Sequence, residues 1–357
     1  MGVQAYALAQ ATVRALFADL LSQTQWEDLI RAPDYGAVVT LLSKTVYGPT
    51  LTIDRALLTP RRAAYQIRFH LADVYAKLIR INPPVAQSVL KVLWHHYEVD
   101  NIRVALRGVE AGATWDQVLH LLYPMRKYVT VTVDDLERMV RSGSVERAIE
   151  ALKGTEYYAV LSHALTRYED ERSLFPLEVA LDLGYRRTLW GSVLALKKRD
   201  REKALATIGT VLDIDNLLWA LRFRVYHHLS EAEIINYTLP TGYEVRDDDI
   251  RLIAGGGDSA QAVFRAYPEL RSGLRGISLD TGEGLGKLEQ ALLRLVISRC
   301  RRMFVGAPFH VGLPLAYVLL NEYEIRDVTL LIEAKAAGTP VDVFAPMLLM
   351  PEMGALA

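Results

Sequence analysis

EVDNIRVALR, from Glu98 to Arg107, returns as DIDNLLWALR from Asp213 to Arg222 and, more distantly, as EIRDVTLLIE from Glu324 to Glu333. The offsets, 213 minus 98 and 324 minus 213, are 115 and 111 residues. The first two copies share Asp100/Asp215, Asn101/Asn216, Ala105/Ala220, Leu106/Leu221 and Arg107/Arg222, while the third keeps mainly the acid, a β-branched residue and the apolar spacing. Val99, Ile102, Leu106 and Val109 recur as Ile214, Leu217, Leu221 and Val225, then as Ile325, Val328 and Ile332. Helical spacing puts each set on one face, so the chain uses the same amphipathic helix three times, with that face expected to build the core of each unit.

The punctuation around the helix repeats too. Gly112 and Gly338 stand where a helix C-cap takes the left-handed conformation, and His228 holds that place in the second copy. A capping box then opens a further helix at Thr114 to Gln117, Ser230 to Glu233, and Thr339 to Asp342 with Pro340 at the first helical position. Pro124, Pro240 and Pro351 close the units. Upstream, RAPDYGAVVTLLSKTVYGPTL (Arg31 to Leu51) aligns with RSGSVERAIEALKGTEYYAVL (Arg141 to Leu161) at an offset of 110, sharing Arg, Leu, Thr, Tyr and Leu, and Asp34 and Ser144 suit helix N-caps. PLE (Pro176 to Glu178) and KLE (Lys287 to Glu289) each open a long helix, the second burying Leu288, Leu292, Val296, Cys300 and Met303.

These signals predict an all-α chain: an amphipathic leader over residues 1–25 and helical repeats over 26–135, 136–248 and 249–357. Repeats this long exceed the about 34 to 47 residues of common helical solenoid units, so each is the size of a small domain. Three such domains either extend as an array or close about a pseudo-threefold axis with a central cavity.

Composition narrows the function. Of 357 residues, 51% are hydrophobic, and 41 basic against 42 acidic residues leave a net charge of −1, which offers no global attraction to phosphate backbones and argues against nucleic acid. The single cysteine, Cys300, excludes an internal disulfide framework and multi-cysteine metal sites and suits the cytoplasm. The N-terminal stretch lacks the features of a secretory signal; Tyr6, Ala9, Val13, Leu16, Phe17, Leu20 and Leu21 form a helical stripe that should pack on protein. The most membrane-like segment, Phe304 to Leu320, is short and broken by Gly306, Pro308, Gly312 and Pro314, so membrane contact is expected only through partner subunits.

Catalytic fragments are weak. LDTG (Leu279 to Gly282) is one copy of a motif whose chemistry needs two carboxylates, and GEGLGK (Gly282 to Lys287) misses the phosphate-loop spacing at Thr281, which leaves turns and Gly-rich connectors. His95/His96 and His227/His228 are adjacent rather than at ligand spacing. Asp134-Asp135 and Asp247-Asp248-Asp249 fit helix N-termini, and Cys300 lies on an apolar face. No catalytic, metal or cofactor residue is assigned. Two basic runs, Lys197-Lys198-Arg199 with Arg201 and Lys203, and Arg299 with Arg301-Arg302, are either solvated faces or a partner-facing patch.

LLSKTVYG (Leu41 to Gly48), YEVDNIRVALRG (Tyr97 to Gly108), DIDNLLWALRFRVYHHLSEAEI (Asp213 to Ile234) and AYVLLNEYEIRDVTLLIEAKAAG (Ala316 to Gly338) together resemble the C subunit of V/A-type (vacuolar/archaeal-type) rotary ATPases, the counterpart of the d subunit of the eukaryotic V-ATPase. The match runs through nearly the whole chain in order; ALAQATVRAL departs from the family's Asn-Ala-Arg-Val-Arg, keeping only Val13 and Arg14. The resemblance implies a non-catalytic rotor adaptor, a three-domain funnel on the cytoplasmic side of the membrane linking the central shaft to the proteolipid ring. A helical scaffold of another complex and an all-helical enzyme are the rival readings. Within the repeat, Glu98, Asp213 and Glu324 are expected at equivalent places at the start of the helix, either complementing its dipole or forming a ring that meets basic groups of a partner.

Overall fold

The computed structural model describes residues 6–54, 57–240 and 242–351, and every regular element among them is helical. After α1 (Ala7–Ala18), the first repeat runs through α2 (Gln23–Arg31), α3 (Tyr35–Leu42), α4 (Pro60–Ile81), α5 (Pro84–Glu110) and α6 (Trp115–Leu119). The second comprises α7 (Val133–Arg141), α8 (Val145–Glu150), α9 (Glu156–Glu171), α10 (Phe175–Leu194), α11 (Lys198–Ala204), α12 (Thr210–Val225) and α13 (Glu231–Asn236), with five π-helical residues, Leu205–Gly209, joining α11 to α12. The third comprises α14 (Asp247–Ala254), α15 (Ser259–Ala266), α16 (Gly282–Met303), α17 (Gly312–Ala336) and α18 (Val341–Phe344).

By packing, the described residues form two compact bodies. One holds those up to Tyr185 and from Asn321 on; the other is Arg186–Leu320. The divisions fall inside α10 and α17, not at the boundaries between sequence repeats.

The apolar face does more than fill its own unit. Val99, Ile102 and Leu106 of α5 share a cluster with Leu136, Met139 and Val140 of α7, Ile149 of α8, and Leu177 and Leu181 of α10, so most of their cover comes from the next repeat. In the second body α12 packs likewise on α14 and α16. Each fully buried Leu or Ile contributes about 1.5 to 3 kcal/mol, and here that free energy binds successive repeats together.

Turn chemistry follows the sequence with three corrections. Asp34 and Ser144 cap α3 and α8 through Ala37 N and Arg147 N, and Asp258 does the same for α15 through Ala260 N. The capping boxes at Thr114 and Ser230 form, but α18 begins at Val341 with Pro340 as its N-cap and no side-chain cap, so the box expected at Thr339 does not form. GEGLGK is the opening of α16 and not a connector: Thr281 caps it, and a Cβ on Gly284 would collide with Ser278 O. The third correction concerns the apolar helices. Lys198–Val225, not Phe304 to Leu320, is the described helical run long and apolar enough to cross a membrane, and most of its apolar stretch is buried against its own chain, as in a core helix.

All three repeated helices end in the left-handed region, at Gly112 (φ 62°), His228 (φ 51°) and Gly338 (φ 66°). Ala113 N and Thr339 N bond back to Gly108 O and Ala334 O at 2.8 and 2.9 Å, closing the ends after the glycines. His228 takes up the left-handed conformation against the steric cost of its Cβ, and Leu229 N bonds back one residue further, to Phe223 O at 3.1 Å. His228→Gly should therefore raise unfolding free energy by roughly 0.5 to 1 kcal/mol, the strain relieved less the extra chain entropy of glycine. Urea denaturation checks it; unchanged or lower stability would show that the left-handed turn costs nothing here.

Candidate functional site

Glu98 and Glu324 are not at helix starts, since α5 opens at Pro84 and α17 at Gly312. Asp213 is in the first turn of α12, but the π-helical residues and α11 continue that helix back to Lys198, so none of the three acids meets a free helix N-terminus. All three are buried, at 1%, 0% and 0% exposure. A carboxylate in such a place costs several kcal/mol unless donors surround it.

The donors come from the segment that leads into the next repeat and from a tyrosine within that repeat. Glu98 accepts from the backbone N–H groups of Thr130 and of Val131 (3.1 Å), which lead into α7, and from the Tyr157 hydroxyl at 2.7 Å. Asp213 accepts from the N–H groups of Tyr243, Glu244 and Val245 at 2.7, 2.6 and 3.0 Å, just before α14, and from the Tyr267 hydroxyl at 2.8 Å. Glu324 accepts from Leu21 N at 2.8 Å, just before α2, and from the Tyr47 hydroxyl at 2.7 Å. The third repeat thus holds the first as the first holds the second.

The tyrosines complete the constellation. Tyr47, Tyr157 and Tyr267 are each 110 residues apart, 157 minus 47 and 267 minus 157. Tyr47 and Tyr157 already coincide in the upstream alignment, so the signal was present; nothing local ties a tyrosine to an acid 54 or 59 residues before it. Burial and the facing carboxylate push the Tyr157 and Tyr267 phenols far up, so both stay protonated as donors. Burial also raises Asp213 despite its four donors. Gly242 is required here, because a Cβ would lie 2.5 Å from Asp213 Oδ1.

Three residues along, a second repeated side chain ties each helix to the end of its own repeat. Asn101 accepts from Tyr123 N (2.7 Å) and donates to Tyr123 O (3.0 Å); Asn216 does the same with Leu239 at 2.9 and 3.2 Å. Asp327 replaces the asparagine in the third repeat and accepts from Leu349 N and Met350 N at 2.6 and 2.7 Å. These partners stand directly before the closing prolines or one residue further back. Outside this frame, the arginines shared by the first two copies pair across repeats, Arg107 with Glu178 of the PLE segment and Arg222 with Glu289 of the KLE segment. Arg107 is 60% exposed and Arg222 39%, so each pair contributes only about 0 to 1 kcal/mol.

The remaining sequence candidates have structural partners. Asp280 of LDTG accepts from Arg224 and from Ser259 Oγ (2.7 Å). Asp134-Asp135 and Asp247-Asp248-Asp249 occupy the first turns of α7 and α14, and Cys300 is buried. On the α16 face, Leu288, Leu292, Val296 and Cys300 are buried, whereas Met303 is only partly so.

The model of the ATP synthase (C/AC39) subunit family matches residues 9–344. Among curated proteins, the chain is 26% identical to the C subunit of the A-type ATP synthase of Methanocaldococcus jannaschii over 92% of this chain and 82% of that protein. It is 25% identical to the protein of the same name from Methanothermobacter thermautotrophicus over 92% and 84%, and 23% identical to that of Methanosarcina mazei over 94% and 91%.

Removing one hydroxyl from a joint should be costly. Tyr157→Phe and Tyr267→Phe should each lower stability by about 1 to 3 kcal/mol, and Glu98→Ala by at least as much, since it leaves the Thr130 and Val131 N–H groups and the Tyr157 hydroxyl without their acceptor. Glu98→Ala combined with Tyr157→Phe should lose less than the sum, because both remove the same bond. Additive losses in urea denaturation would deny that the two residues form one unit. The Asp327 joint carries a pH signature: burial raises its pKa from the ordinary 3.8 to about 6. Its favourable contribution is fully present below pH 3.8 and is lost as pH rises through about 6. Asp327→Asn, the asparagine of the other repeats, should gain stability relative to the parent between pH 4 and pH 7. Melting curves across that range that stay parallel for the two proteins would contradict the assignment.

Proposed function

The chain belongs to the ATP synthase (C/AC39) subunit family, and from that premise we propose that it is a non-catalytic central-stalk subunit of a V/A-type rotary ATPase or ATP synthase. In this reading it is a rotor adaptor that links the central shaft to the membrane proteolipid ring and transmits torque for ATP-coupled ion transport. It sits peripherally on the cytoplasmic side, with three similar domains closed about a pseudo-threefold axis as a funnel that receives the shaft.

The observation that carries the reading is the head-to-tail order of the joints. Each repeat's buried acid holds the segment that leads into the next repeat together with that repeat's tyrosine, and Glu324 holds Leu21 of the leader and Tyr47 of the first repeat. A part that carries load needs such continuity, because a force entering one repeat passes to the others without reaching an unbonded end. Glu98, Asp213 and Glu324 are buried, so they meet no partner directly; in this proposal they serve assembly by holding the surfaces that do.

Native membrane extracts should yield this chain together with proteolipid and shaft subunits, and reconstituted complexes lacking it should hydrolyse ATP without moving ions. Complexes carrying Tyr157→Phe should pump less per ATP than the parent at temperatures where the variant stays folded. If the shaft and ring assemble and couple fully without this chain, the rotor-adaptor reading fails and a scaffold role elsewhere takes its place.

A further inference from the structure

One cation of the first basic run and two of the second meet at one cavity. Lys203 at the end of α11, and Arg299, Arg302 and Met303 on the last turns of α16, line a hollow of about 340 Å³ together with Ala206, Tyr243, Glu244, Gly306 and His310. Neither Lys203 nor Arg302 makes a side-chain hydrogen bond or ion pair with a described residue. Arg299 is fixed behind them, donating to Thr210 Oγ1 (2.7 Å) and Glu269 Oε1 (3.1 Å) and lying over the Tyr267 ring. Three cations therefore face a single lining carboxylate, that of Glu244.

The walls are built at some cost. The π-helical turn Leu205–Gly209 contributes Ala206, and π-turns inserted in α-helices are rare and concentrate at functional sites. Phe309, next to His310, is held at φ 68° without being glycine. His310 is 1% exposed and its Nδ1 has no hydrogen-bond partner among the described residues. Gly312 permits this packing, since a Cβ there would lie 2.9 Å from His310 Nδ1 and 3.1 Å from the Lys203 Cβ.

We propose that this cavity binds a small soluble molecule bearing a phosphate group, held by Lys203 and Arg302 with Arg299 as the fixed third cation. A phosphate dianion matches two unpaired cations and the fork geometry of arginine, whereas a single carboxylate leaves one cation unmatched. The volume suits a small molecule at the low end of ligand pockets. With only Ala206 and Met303 as aliphatic lining, the site offers no groove for an acyl chain. Occupancy would tie Lys203 of the second repeat to Arg302 of the third across the wall formed by Tyr243 and Glu244, whose backbone Asp213 holds. The ligand would thus stiffen the Asp213 joint. This site is independent of the rotor reading and stands or falls separately from it.

Titration of the full chain with inorganic phosphate in phosphate-free buffer, by calorimetry and by the imidazole resonance of His310, tests it. Saturable one-to-one binding is expected, with Kd raised about tenfold or more by Arg302→Ala and by Lys203→Ala, equivalent to about 1.4 kcal/mol. Lys287→Ala, which alters an exposed cation elsewhere, should leave Kd unchanged. Arg302 is exposed, so its truncation keeps the fold even if Lys203→Ala does not. Absence of saturable binding, affinity untouched by Arg302→Ala, or binding only to phosphatidic acid vesicles or an acidic peptide would overturn the proposal.

Discussion

A carboxylate buried without an ion-pair partner is the constraint on which the arrangement depends. Neither Glu98 nor Asp213 forms an ion pair with a Lys or Arg among the described residues; each is met instead by backbone N–H groups and a tyrosine hydroxyl. Such a group is tolerable only when every donor is in place. The segment that leads into the following repeat, and that repeat's tyrosine, must therefore lie against the helix of the preceding one before the charge can be buried. Formation of one repeat and placement of the next become the same event.

The other repeated interactions rank below this one. Asn101 and Asn216 use both halves of the amide on one backbone residue, which fixes how each repeat closes on itself but involves no charge. The Arg107–Glu178 and Arg222–Glu289 pairs lie largely in solvent, where water screens them and the long side chains give up entropy to meet. They help set register between α5 and α10 and between α12 and α16 without bearing much of the stability. Apolar burial on the shared face supplies the bulk of the free energy, and the carboxylate joints decide which geometry that burial adopts.

Asp327 shows how a repeat departs from its siblings at a cost. Its carboxylate accepts two N–H groups where the asparagines make a donor–acceptor pair, and Arg326 provides partial compensation from a half-exposed position. Desolvation still dominates, which is why its pKa rises. The same balance, burial against donors, raises Asp213.

Periodicity alone determined that the chain is helical and thrice repeated, because apolar spacing, caps and left-handed turns are local and leave their marks within a few residues. It also marked Glu98, Asp213 and Glu324 as equivalent. It placed Glu98 and Glu324 wrongly at helix starts, since α5 and α17 begin many residues upstream, and PPVAQSVLKVLWHHY, from Pro83 to Tyr97, gives no strong stop before Glu98. Only the tertiary structure decided what the acids do. Their donors, Tyr157, Tyr267 and Tyr47, lie 59, 54 and 277 residues away, and a hydrogen bond across such a separation has no local pattern to announce it. The same holds for the two basic runs, which look like separate solvated faces in the sequence, yet Lys203 of one and Arg299 and Arg302 of the other line one cavity once α11 and α16 are packed.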